Sequence, residues 1–315
     1  MLKVTHLHYY KEFSIKCIII IIIIIIIIII IIIIIITTKQ SYNNYMCKGM
    51  TDVFSLIQEP SVSELLWRAN KDVGNLHTEA EPFIIDDIAY DNESERNADP
   101  CTSSSCMWAT SADGNVYVPY VIASHYASRE RSIIERGLKS FGDVSCIRFV
   151  ERSHQRDYLN IQSDNGCYSY VGRRGYSQTV SLDRQGCLYH STVQHELLHA
   201  LGFNHEQCRS DRDQHIRILW ENIQSGWSFS LHINTLNLNT PYDYNSVMQY
   251  HRYAFSGNNK PTMVPIPNAN VEFGTANQMS RNDISRLNKL YKCRLYSQKT
   301  HTGFVSGTAP CVHLI

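Results

Sequence analysis

His195-Glu196-Leu197-Leu198-His199-Ala200-Leu201-Gly202-Phe203-Asn204-His205 places three imidazoles and a carboxylate within eleven residues. On a helix, positions i and i+4 share a face, so His195 and His199 present their imidazoles to one point with Glu196 beside it. Gly202 permits a sharp turn with φ > 0, which returns His205 as a third nitrogen donor. Three neutral imidazoles leave one tetrahedral position for water, the arrangement of a catalytic zinc site rather than a closed structural one. Leu197, Leu198 and Leu201 supply the apolar side that holds this helix to a core. HExxH alone also occurs on solvated helices; Gly202 and His205 at the right offsets make coincidence a weak explanation.

Outward from this string, apolar periodicity predicts strands at Val116–Ile122, Ile147–Val150, Tyr158–Gln162 and Thr179–Leu182. Tyr126, Ile133, Ile134, Gly137, Leu138 and Phe141 sit at helical spacing before a Gly142-Asp143 stop. The zinc string itself reads as a helix over Thr192–Leu201, ended by Gly202. Asn- and Pro-rich stretches follow to about residue 280, and a last helix is expected over Asn282–Tyr291. An α+β domain divided by a cleft is the fold class expected, with a mixed sheet and the active-site helix above and a loop-rich C-terminal part below.

Ser246-Val247-Met248-Gln249-Tyr250 supplies a second signal. A tight turn with Met beneath a metal and Tyr beside it resembles the Met-turn of metzincin proteases, and the match narrows to the astacin family of zinc endopeptidases. His205-Glu206, Arg209-Ser210-Asp211-Arg212-Asp213, Trp220-Glu221-Asn222-Ile223, Pro241-Tyr242-Asp243-Tyr244, Phe273-Gly274 and Leu290-Tyr291-Lys292-Cys293 are similar to that family, so the resemblance covers about residues 97–293. It implies one zinc per chain on His195, His199 and His205, Glu196 as general acid/base, and Tyr250 as a mobile ligand that stabilises the oxyanion. It also implies disulfides Cys146–Cys293 and Cys167–Cys187, in agreement with loops that the spacing alone suggests. The further pair Cys101–Cys106 resembles the six-cysteine fish astacins, the group containing hatching enzymes and nephrosin-like relatives. Departures are Cys208, where the family has a small polar residue, Leu219 in place of a usual Asn, and a tail, residues 294–315, that matches nothing in the pattern.

Charge divides the chain. Residues 37–96 carry 5 basic and 11 acidic side chains, whereas 97–293 carry 19 and 17. The whole chain balances at 29 against 29, which excludes a nucleic-acid binder driven by excess Lys and Arg. The acidic stretch is too poor in core residues to fold alone, with one helix expected over Ser61–Asn70. By resemblance it is an inhibitory propeptide: Asp87 in Ile85-Asp86-Asp87-Ile88 is similar to the family's zinc-switch aspartate, although Asp86 stands where the family has Gly. A solvated acidic pair is the competing reading. Arg96-Asn97 is then the activation bond for a trypsin-like protease, and the freed amino group of Asn97 is expected to fold toward Glu206. The sequon Asn92-Glu93-Ser94 would leave with the discarded piece.

Ten cysteines, with no Cys-x-x-Cys pair, point to an oxidising compartment. Lys3, Lys11 and Lys16 precede 19 consecutive isoleucines, Ile18–Ile36, as a secretory signal or signal anchor requires. A helix of that length spans about 28 Å, close to the hydrocarbon thickness, so residues 1–36 also fit a retained anchor; a homopolymer this pure equally fits a nucleotide repeat or a faulty gene start. The expected organisation is a signal or anchor at 1–36, a propeptide at 37–96, a catalytic domain at 97–293 and a tail at 294–315. The expected product is secreted and acts on extracellular proteins or peptides, egg envelope for a hatching-enzyme type, with membrane contact only if the isoleucine segment is kept. The rivals are a nephrosin-like or membrane-tethered protease and a non-catalytic binding module; the last predicts a broken Glu or His, and none is broken. Cys17, Cys47, Cys208 and Cys311 remain unassigned, Cys208 reading first as a free thiol.

Overall fold

The first element among the described residues is a nine-residue helix, α1 (Val62–Asn70), started by Ser61, whose hydroxyl accepts from the Glu64 N–H. Capping of this kind satisfies one of the orphan donors of the first turn. Val62, Leu65 and Leu66 bury its apolar face. A hairpin follows, β1 (Phe83–Ile85) and β2 (Ile88–Tyr90), with Asp86 at its turn in a left-handed conformation, φ 65°. The computed structural model describes residues 59–71, 73, 82–91, 106–224 and 235–293. The isoleucine run, Cys17, Cys47, the sequon, Arg96, Asn97, Cys101, Cys311 and the tail lie outside the described residues. No helix among the described residues is long and apolar enough to cross a membrane.

The main body opens with β3 (Val116–Ile122), whose Val116, Val118 and Ile122 point inward while Tyr117 and Val121 face out. Then come α2 (Ser128–Val144), β4 (Ile147–Glu151), β5 (Tyr158–Gln162), β6 (Cys167–Ser169), β7 (Ser177–Leu182) and α3 (His190–Ala200). α2 buries Ile134, Gly137, Leu138 and Phe141. Gly137 is where it crosses α3: a Cβ there would stand 2.3 Å from Val193 Cγ1, so the close approach requires glycine. The seven strands form one mixed sheet in the order β1-β2-β6-β7-β5-β3-β4. β3, β4, β5 and β7 pair in parallel, and β6 turns antiparallel to β7. β2 adds to the outer side of β6 in parallel, through the single register pair Ile88 with Ser169.

Beyond α3 the chain is mostly turns and short 3₁₀ segments, with a two-stranded ribbon of β8 (Ile216–Ile218) and β9 (Met263–Pro265) and a last helix, α4 (Arg281–Leu290). Two disulfides brace the body. Cys146–Cys293 ties the start of β4 to the end of α4, and Cys167–Cys187 ties β6 to the approach to α3. Cys106 is also disulfide-bonded, its partner lying outside the described residues.

The helices and long strands fall where periodicity places them, with shifts of one or two residues at their ends. α3 begins at His190 rather than Thr192, and β7 at Ser177 rather than Thr179. Periodicity does not reveal β1, β2 or β6, because three residues are too few to display a period of two.

Candidate active site

His195 and His199 lie one turn apart on α3, both buried. The His195 Nδ1 is 2.7 Å from the Val247 carbonyl and the His199 Nδ1 is 2.7 Å from the Phe203 carbonyl. Each Nδ1–H therefore donates backward, which leaves each Nε2 lone pair facing the site. The string then reverses at Gly202, φ 99°. Its N–H donates to the His199 carbonyl and the Phe203 N–H to the Leu198 carbonyl, a left-handed helix end of the kind glycine favours. Trp108 Nε1–H and the Tyr291 hydroxyl donate to the Ala200 and Leu201 carbonyls, so the end of α3 is fixed from the core.

This reversal brings His205 back to the pair. His199 Nε2 stands 3.1 Å from His195 Nε2 and 3.2 Å from His205 Nε2. A tetrahedral zinc with bonds of about 2.0–2.1 Å spaces its nitrogen ligands by about 3.3 Å. Burial pushes His199 down to about 4, against the opposing charge of Asp87, so the imidazole is neutral as a metal ligand must be. Glu196, adjacent on the helix, is fully buried with no hydrogen-bond partner for either carboxylate oxygen. Burial first, then the nearby Asp87 and Asp86, raises its carboxyl well above the ordinary range. A carboxylate is tolerated there only if a cation offsets it, so the donor set and the orphaned Glu196 together fit a zinc ion.

The turn beneath is built from α4. Ser280 and Asp283 form a capping box at its N-terminus, and the Asp283 carboxylate reaches on to accept from the Ser246 hydroxyl at 2.6 Å and the Val247 N–H at 2.9 Å. Val247 is the residue whose carbonyl orients His195, and the next residue, Met248, is 2% exposed, its N–H donating to Ser246 Oγ. The Met248 carbonyl accepts from the Glu206 N–H, and the Tyr250 N–H donates to Gln207 Oε1. Tyr250 stacks obliquely near His205, ring centroids 4.8 Å apart.

The acidic segment lies directly on this centre. Asp87 Oδ2 is 2.9 Å from His195 Nε2, and Asp87 Oδ1 is 2.9 Å from His205 Nε2 and 3.4 Å from His199 Nε2. The four residues' ligand atoms all lie within 4.8 Å of one another. Burial alone would raise the Asp87 carboxyl, but the three imidazoles hold it well below its usual range. The Tyr250 hydroxyl is taken as well, 2.6 Å from Asp86 Oδ1 and 2.8 Å from Asp87 Oδ2. Asp86 holds a left-handed φ of 65°, which Asp tolerates better than most residues. It adds a contact that glycine has no atoms to make.

The rest of the segment is seated on both sides of the centre. The Asn70 side chain imitates a strand, accepting from the Cys167 N–H at 2.8 Å and donating to the Cys167 carbonyl at 2.7 Å and the Asp86 carbonyl at 3.0 Å. Trp67 packs edge-on to Phe255, and Ser63 Oγ accepts from the His251 N–H. These contacts correct the reading of Asp86-Asp87 as a solvated pair: Asp87 is 0% exposed.

Glu206 is buried, accepts from the Asp243 N–H at 2.6 Å, and is gripped by both terminal nitrogens of Arg286, with Arg209 3.6 Å away. Cys208 is a free, buried thiol, pushed up to about 12 by burial. Asp283, Arg286 and Asn70 were not singled out by sequence reasoning. Only Asp283 had a local signal, the Ser280-x-x-Asp283 capping pattern.

A buried HExxH helix, a third imidazole returned by a glycine and a methionine turn beneath define a zinc-dependent endopeptidase of the metzincin type. Residues 105–292 match the astacin peptidase family, and the chain belongs to it. It is 51% identical over 202 residues to high choriolytic enzyme 1 of Oryzias latipes, an alignment spanning 63% of this chain and 74% of the relative. Identity to an astacin-like metalloendopeptidase of Gallus gallus is 42% over 192 residues, 60% of this chain and 47% of that one. The solved structure of the medaka high choriolytic enzyme 1, a hatching enzyme zinc-protease, aligns with a TM-score of 0.59 at 51% identity, over 62% of this chain and 98% of that one.

Proposed function

We propose that this chain is the latent precursor of a secreted, hatching-enzyme-type endopeptidase, held inactive by Asp87. The observation that carries the reading is the Asp87 carboxylate within 2.9 Å of both His195 and His205 Nε2, where a nucleophilic water must otherwise sit. Zinc, when bound, lowers the pKa of such a water and polarises the scissile carbonyl. Glu196, buried beside the ligands with both carboxylate oxygens unclaimed by any hydrogen bond, accepts the proton at its carboxylate and returns it to the leaving amine. Tyr250, released from Asp86 and Asp87, turns its hydroxyl toward the oxyanion. Departure of β1 and β2 exposes β6 as a sheet edge, and an edge is where a peptide backbone docks by strand addition.

Activation is then a cut at Arg96-Asn97 by a trypsin-like protease. The new amino group of Asn97 joins the buried acidic cluster at Glu206, whose existing grip on Arg286 makes it a prepared counter-charge. Secretion is supported by the basic N-terminal stretch ahead of Ile18–Ile36 and by the disulfides. A membrane-tethered form is the second reading, favoured by the length of the isoleucine run; mature protein beginning at Asn97 in the medium excludes it. Similarity to choriolytic enzymes supports egg envelope as the substrate, tested by digestion of isolated envelopes beside unrelated extracellular proteins. Purified uncut chain is expected to be inactive on a small peptide and to gain activity on cleavage before residue 97. Equal activity of cut and uncut protein ends the latency reading.

A further inference from the structure

Away from the metal, the covering segment makes a charged contact that the latency reading does not need. Four residues beyond Asp87, about 13 Å along an extended chain, Asp91 reaches the body at Arg174, with Nη2 paired to Asp91 Oδ2. The Tyr176 hydroxyl donates to the same oxygen at 2.7 Å. The Arg174 guanidinium lies over the Tyr170 ring, 5.3 Å from its centroid, and its side chain is 15% exposed.

The loop that presents these groups is fixed before any ligand arrives. The Arg174 N–H donates to Gln178 Oε1, and Gln178 Nε2, almost wholly buried, donates to the Gly172 carbonyl. The Gly172 N–H donates to the carbonyl of His199, a metal ligand, and the Arg173 N–H to the Cys106 carbonyl. Adjacent Arg173 is committed to Asp157 on the body, whereas Arg174 turns toward the segment expected to leave. An ordinary surface ion pair is worth little. Here a partly buried guanidinium, an aromatic face and a phenol converge on one carboxylate from a buttressed loop, which is how a carboxylate-binding pocket is built.

We propose that Asp91 is a placeholder, and that Arg174 with Tyr176 and Tyr170 forms a substrate subsite for an acidic side chain. The inference rests on the reading of residues 37–96 as a removable propeptide. The direction of β6 fixes which part of the substrate is read. A peptide that adds antiparallel to β6 passes the Tyr170–Tyr176 end first and the metal afterwards, so the acidic residue lies about three to four positions before the scissile bond.

The test uses the full chain activated by cleavage before residue 97, and compares kcat/KM for peptides identical except for Glu or Gln at the third or fourth position before the cut. Glu is expected to be favoured roughly tenfold at one of those positions, as a charged hydrogen bond warrants. In Arg174→Gln the Glu/Gln ratio should collapse to about one, and Arg174→Glu should favour a Lys peptide instead. The ratio within each variant is the readout, so a general loss of activity does not imitate the result. Equal cleavage of Glu and Gln peptides by the unmodified enzyme, or a preference that survives Arg174→Gln, overturns the subsite and leaves the peptidase reading standing. Failure of the activated chain to cleave either peptide overturns both.

Discussion

His195, His199 and His205 are oriented from behind by the carbonyl of Val247, the carbonyl of Phe203 and a glycine turn, all anchored in a continuous core. Asp86 and Asp87 face them from a hairpin of two three-residue strands that joins the sheet through one register pair. The cage is therefore over-determined and the cover is not. Helix packing, a capping box and a disulfide between Cys146 and Cys293 all fix the cage. The cover is held mainly by the Asp87 carboxylate against the three imidazoles, by the Asn70 amide on Cys167 and by one short apolar helix. Under the latency proposed above, that contrast lets the cover leave while the cage stays intact.

The largest expected effect breaks the cage side chemically while leaving its geometry in place. In the activated enzyme, Glu196→Gln should lower kcat by about 10² to 10⁴ with zinc still stoichiometric by metal analysis. Retention of more than a few per cent of activity with full zinc would remove Glu196 from the proton-transfer role. Tyr250→Phe should follow, with about 10² to 10³ lost from kcat as for other oxyanion donors; full activity would remove Tyr250 from the transition state.

Two substitutions on the cover sharpen the contrast from the other side. Asp87→Ala in the uncut chain removes a carboxylate shared by three imidazoles, and should raise residual peptidase activity by about 10- to 100-fold, the worth of a charged hydrogen bond. Activity should stay below that of the cut enzyme, because Asn70 still covers the β6 edge at Cys167 and Trp67 still packs on Phe255. Asp86→Gly should leak less than about tenfold, since it removes one hydrogen bond to Tyr250 and a 3.7 Å approach to His205 Nδ1 but leaves Asp87 on the imidazoles, while glycine suits the left-handed turn better. If Asp86→Gly leaked more than Asp87→Ala, Tyr250 rather than the metal would be the point of control.

The zinc string and the Met-turn were legible because their geometry is local. Eleven contiguous residues with an i, i+4 pair and a glycine bring three imidazoles together almost without reference to the rest of the chain. The long strands and helices were legible for the same reason, their period being written into neighbouring residues. Asp87 was legible only through family resemblance, and its competing reading as a solvated residue fell once its burial was seen.

The metal, the three histidine ligands, the fold class and the main elements are thus written in contiguous residues. Tertiary structure alone decided that Asn70 substitutes for a strand at Cys167, 97 residues away, that Asp283 carries the turn beneath the metal, that Asp86 reaches Tyr250 and that Asp91 meets Arg174. The physical reason is separation along the chain. A period fixes which face a side chain takes within its own element, but a contact across scores of residues depends on register and packing, which three-residue strands and single polar side chains do not encode locally.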